Sequence, residues 1–195
     1  MALLLFTTTL QGCATWSGYR ELPARRAWAF PSLPARVWQN AFVRCRVAPG
    51  GFAPYLPTAW HPWGTISRAV IPYGDDVWQF SLAVEPLTGE RVLVQPEGAH
   101  LLVDGIVDRR ALSLTDYRRR WPLWALADEQ QAADRAVAYR HLLDTLWFER
   151  AIPPGESHEA QLAFVSAACA VNLELRLPLR LGDKLESARF EWTMP

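Results

Sequence analysis

The sequence is short of several things that large classes of protein need. All but one of its 20 basic residues are arginine, and they are matched by 20 acids, so the formal net charge is zero with a pI near 6.9. A general nucleic-acid binder needs a basic surplus to displace counterions from phosphates, so this balance excludes that class. No run of about 18 apolar residues occurs, which excludes a membrane-spanning helix. Cysteines number three and methionines two. With no CxxC pair and no His/Cys cluster, no zinc site is expected. Neither a phosphate-cradling glycine loop, a GxGxxG turn, an HExxH helix nor a GxSxG elbow is present, so no cofactor and no metal is expected.

What is there suits one folded domain. Half of the residues are hydrophobic and 21% are charged, a composition that can build a normal core and excludes disorder as the main state. The charges fall in blocks. Residues 1–74 carry seven arginines against Glu21, residues 75–108 seven acids against Arg91, residues 109–120 five arginines against Asp116, and the remainder eleven acids against seven bases. Such blocks can orient a domain at a charged surface or pair with one another inside the fold.

The first twelve residues, MALLLFTTTLQG, form an apolar stretch that ends in Leu10-Gln11-Gly12-Cys13. This resembles a bacterial lipobox. In the lipoprotein family the motif implies cleavage before the cysteine, a diacylglycerol on its sulfur and an acyl group on the new amine, so residues 1–12 are expected to be a signal peptide. No Lys or Arg precedes Arg20, where a signal peptide carries one, which points to a start upstream of Met1. Ala14, in place of the aspartate that would resemble the inner-membrane retention signal, implies the outer membrane and a periplasmic domain. Residues 13–35 mix Pro, Trp and Arg without either period and read as a tether. The domain is expected over 36–195. The periplasm permits disulfides, so a Cys45–Cys169 bridge and two separate buried thiols both fit the pattern.

Alternation dominates the domain. Val37, Ala41, Val43, Cys45 and Val47 share one phase of a first strand, and Trp78, Phe80, Leu82 and Val84 that of another. Thr88-Gly89-Glu90 is expected to turn that strand into a hairpin with RVLVQ. AHLLVDGIVD reads as a further strand bent at Gly105. Ser113 with Asp116 reads as a helix cap, and Pro122 stops the helix. A second helix is expected from Glu129 to Arg150, with Ala133, Val137, Arg140, Leu143 and Trp147 at helical spacing and Ala136 and Leu146 filling the stripe. From Cys169 to Leu181 the odd residues are apolar and share one face, with Asn172, Glu174, Arg176 and Arg180 on the other and Pro178 marking an edge or a break, and Ala188, Phe190 and Trp192 alternate in a last strand. The expectation is an α+β fold: a curved antiparallel meander of about six strands, with the helical segment 113–150 packed across one face. With lipidation, this is similar at fold level to the outer-membrane receptor that accepts lipoproteins from a soluble carrier, a half-barrel with a lid.

Chemistry is sparse. His100, Asp104 and Asp108 share parity on the presumed strand and are the candidates for acid–base catalysis, yet on one straight strand they stand too far apart to converge. The Pro- and Gly-rich segment 48–73 carries Trp60, Trp63 and Tyr73, which suit an apolar ligand, and Trp121 and Trp124 follow a triple arginine in a pattern that suits a phospholipid interface. The leading expectation is therefore a non-enzymatic lipoprotein that binds or passes on a lipid or acyl chain. The alternative is an envelope assembly or scaffolding module that binds another protein, and an enzyme using His100 and Asp104 comes third.

Overall fold

A computed structural model of the chain describes residues 33–51, 56–57, 69–70, 73, 77–120, 129–166 and 170–194. The signal segment, Cys13, Trp60, Trp63, Trp121, Trp124 and Cys169 lie outside the described residues.

The fold is α+β and its strand pairings are antiparallel, as expected, but the strands divide between two main sheets. The four-stranded sheet has the order β1 (Arg36–Gln39), β2 (Val43–Gly51), β5 (Val77–Pro86) and β10 (His158–Val165). A small pair, β3 (Leu56–Pro57) with β4 (Ala69–Val70), lies between β2 and β5 in the chain. The six-stranded sheet runs β8 (Val107–Arg110), β7 (His100–Val103), β11 (Asn172–Leu181), β6 (Val92–Val94) and β9 (Arg150–Ile152), with β12 (Lys184–Thr193) on β11. This order is no meander. Alternation reveals which face of a strand is buried but not which sheet the strand joins.

The two sheets pack face to face on one core. Val43, Cys45 and Val47 of β2, Phe80, Leu82 and Val84 of β5, and Leu162 and Phe164 of β10 meet Leu101 of β7, the odd residues 173–181 of β11, and Phe190 and Trp192 of β12. At its centre Phe80 lies edge-on to Phe164 at 5.8 Å and 5.5 Å from Trp192 across the interface. Among the described residues the two sheets therefore enclose a packed side-chain core, unlike the half-barrel of the fold-level likeness.

Several local expectations change in the structure. The first strand is a hairpin, because the Asn40 Oδ1 accepts from the amides of Phe42 and Val43 at 2.8 and 2.9 Å and turns the chain, which leaves Val37 exposed. Thr88-Gly89-Glu90 does not close a hairpin but carries the chain from one sheet to the other, since β5 and β6 are not paired. AHLLVDGIVD is itself a hairpin. Asp104 and Gly105 have φ of 52° and 69°, the two left-handed positions of a type I′ turn, and β7 and β8 pair on either side. Pro178 marks a break on the partner side: β6 and β7 both run along the same edge of β11 and are interrupted opposite it by the 3-10 turn Pro96–Gly98. That turn presses so close that a Cβ on Gly98 would stand 2.8 Å from Pro178 Cγ.

Helices α1 (Leu114–Arg120) and α2 (Glu129–Thr145) cover the outer face of the four-stranded sheet, where Tyr117, Ala138, Leu142 and Leu146 pack with Tyr73, Val77 and Ala163. Of the expected stripe Leu146 and Trp147 are buried, just past the end of α2, whereas within the helix the buried positions are Ala138 and Leu142, and Leu143 is exposed. The helix also ends at Thr145 instead of Arg150. Residues 150–152 are taken by β9, and the Trp147 amide donates to the Gln161 carbonyl at 2.8 Å beside β10.

The expected cap on α1 is present. Ser113 Oγ accepts from the Asp116 amide at 3.2 Å, and the Asp116 carboxylate accepts from the Ser113 amide at 2.8 Å. Burial pushes the Asp116 carboxyl up, but the Ser113 hydrogen bonds and the charges of Arg110 and Arg119 outweigh this and hold it below its ordinary value. A depressed native pKa stabilises above the unfolded pKa, and that stability is lost as pH falls through the native one. Asp116→Asn should therefore flatten the acid limb of stability against pH in urea unfolding; an unchanged acid limb would show that the carboxylate contributes nothing.

Candidate functional site

With the helices on one outer face, the outer face of the six-stranded sheet carries no covering element among the described residues. Even residues of β11 and odd residues of β12 point outward there, opposite the apolar set that fills the core. Cross-strand register places Arg110, His100, Arg176 and Arg189 in one row across β8, β7, β11 and β12. The next row is Asp108, Leu102, Glu174 and Glu191. Like charges directly opposite one another destabilise a sheet, and the two rows offset this along their diagonals. Arg176 Nε and Arg189 Nε both reach Glu174 Oε1, at 2.6 and 2.9 Å, and Arg110 reaches Asp116 at 3.3 Å. The Arg176 hydrogen bond, with the charges of Arg176 and Arg189, outweighs partial burial and lowers the Glu174 pKa. Exposed pairs of this kind add little stability, so the rows contribute little to holding the fold. Beside the rows is a groove of about 290 Å³, lined by Leu102, Gly105, Asn172, Glu174, Glu191 and Thr193.

The three catalytic candidates do not converge. His100 Nδ1 and Asp108 Oδ1 are 2.8 Å apart across the β7–β8 hairpin, a pair the straight-strand reading could not anticipate, and both side chains are largely exposed. Asp104 is turned to β11, where its Oδ1 accepts from the amides of Val171 and Asn172 at 3.0 and 2.7 Å. It is a cap that pins the hairpin tip. Asp104→Ala should cost about 1–2 kcal/mol, from the two lost acceptor contacts and the left-handed backbone. His100→Ala should stay within about 0.5 kcal/mol. Thermal unfolding of both variants checks this, and a larger loss for His100→Ala would contradict it.

Tyr73 is 1% exposed, set edge-on to Tyr117 and His141 with its hydroxyl 2.7 Å from Thr145 Oγ1. Burial pushes its phenol well above the ordinary range, against that hydrogen bond. It therefore stands in the helix–sheet core. Cys45 is fully buried, with its thiol pushed up to about 12 by desolvation. No group of three His, Cys, Asp or Glu side chains among the described residues could hold a metal.

The class so defined is an antiparallel two-sheet sandwich with helices on one outer face. No family model matches the chain, and no curated protein matches it. One solved structure to which it is similar is that of a Bacillus subtilis protein (ycdA) provisionally described as a lipoprotein, with a TM-score of 0.45 and 15% sequence identity over 80% of this chain. The chain spans 38% of that protein's length, and a likeness of this degree carries nothing about function.

Proposed function

We propose that this protein is a cell-envelope lipoprotein, held through Cys13 at the periplasmic side of the outer membrane, whose sandwich is an adaptor that binds another envelope protein. The observation that carries the adaptor role is the contrast between the interior and the open face. A lipid or acyl-chain carrier needs an empty apolar volume, whereas the described space between the sheets is filled by Phe80, Phe164, Phe190, Trp192 and the leucines of β11. The open sheet face presents ordered rows of both charge signs, which suit a complementary protein surface better than an acyl chain.

The test is a photo-crosslinking residue placed at Arg189 and, as a control, at Leu143 on the exposed side of α2. A discrete crosslinked protein is expected from position 189 alone, and the charge reversal Arg176→Glu beside it should cut its yield at least about tenfold, or 1.4 kcal/mol. Crosslinks to lipid, or a yield untouched by the reversal, would favour the carrier role instead.

A further inference from the structure

We propose that the sandwich stands on the bilayer with the β7–β8 hairpin tip at the lipid surface, so that Ile106 and Val171 enter the headgroup layer. This rests on the lipid anchor at Cys13 and adds an orientation to it. The chain coming from Cys13 meets the domain at one particular end. Leu33 packs on the core, the Pro34 carbonyl accepts from Trp192 Nε1 at 2.9 Å, and Arg36 Nε donates to the Glu191 carbonyl at 3.2 Å. Residues 33–36 are therefore clamped on the last turns of β12. Thr193 pairs with Asn172 at the start of β11, and Leu173 pairs with Val103 at the end of β7. The hairpin tip at 104–106 consequently projects from the same end of the sandwich.

That end carries large exposed apolar side chains, Ile106 at 85% and Val171 at 55%, with Val107 beside them. Its backbone is also suited to an apolar layer, where an unpaired amide is costly. The amide of Asp104 donates to the Asn172 carbonyl at 2.9 Å, that of Ile106 to Val103 at 3.1 Å and that of Met194 to Val171 at 2.7 Å. The amides of Val171 and Asn172 are taken by the Asp104 carboxylate, which spends that charge inside the tip. The opposite end differs: Leu185, 73% exposed, follows Asp183 and Lys184 and precedes Glu186. Nineteen residues lie between Cys13 and Leu33, a span of up to about 70 Å when extended, so the anchor alone leaves orientation open. It does hold the tip at high local concentration over lipid, where a weak contact suffices to orient the domain.

The test uses the full acylated protein in vesicles of phosphatidylethanolamine and phosphatidylglycerol with brominated acyl chains. An environment-sensitive fluorophore is placed at Ile106→Cys or Leu185→Cys in a Cys169→Ser background, where Cys13 is blocked by lipid and Cys45 is buried. The expected result is a blue-shifted label at 106, quenched several-fold more by the brominated chains than the label at 185. If the protein carries its acyl mass and floats with the vesicles, yet both labels stay equally in water, the orientation is overturned and the anchor stands. If the label at 106 is already shielded without vesicles, the tip is covered by protein and the orientation is likewise overturned. A chain with no acyl mass that fails to float overturns both.

Discussion

Phe80→Ala is expected to lower the free energy of unfolding by about 3–5 kcal/mol, the usual cost of emptying a buried phenyl site. Phe80 is fully buried in β5, and its ring touches Phe164 within its own sheet and Trp192 of the facing one. Removing it strips both contacts and leaves a hole that two sheets of paired strands cannot close. A domain of this size has a total stability of about 5–15 kcal/mol, so the change is a large fraction of the whole. The melting temperature should fall by on the order of 10 °C. Val37→Ala is the matched control at a 60% exposed site and should move stability by less than about 0.5 kcal/mol. Similar losses for the two variants would mean that the sheets do not meet over Phe80.

Cys13→Ala should abolish acylation of the chain and the anchoring that rests on it. Each buried methylene contributes about 0.8 kcal/mol, so several acyl chains hold a domain where one chain alone holds only marginally. Without the thiol there is no diacylglycerol and no cleavage before residue 13. Palmitate labelling should fall to background, and the chain should keep its first twelve residues. The melting temperature should not change, because the described core begins at Leu33, well past the anchor. A variant that still fractionates with membranes and still takes up palmitate would show that Cys13 is not the lipidation site.

The sequence was legible where a signal is local. The Ser113–Asp116 cap needs residues three apart, and the odd-numbered apolar run of β11 needs only its own period, so both could be read directly. The Asp104-Gly105 turn was equally local. Gly105 reads as a bend, but the apolar residues on either side of it read as one strand, so the full reversal and the closeness of His100 and Asp108 do not show. Asn40 hid a hairpin in the same way. β10 was also missed, although Ala160, Leu162 and Phe164 alternate with Glu159 and Gln161. The charge rows of the open face could not be read at all, because they exist only once β8, β7, β11 and β12, far apart in the chain, lie side by side. Inside α2 the stripe differs from the expected one for another reason. Its alanines permit more than one buried face, and the sheet beneath selects Ala138 and Leu142.

The most direct measurement is the intact mass of the membrane-extracted protein after expression in a bacterial host with its native upstream codons. The account predicts the mass of residues 13–195 plus a diacylglycerol and one amide-linked acyl chain. An unprocessed chain of ordinary peptide mass in the soluble fraction would contradict the anchor, and with it the orientation of the sandwich on the bilayer.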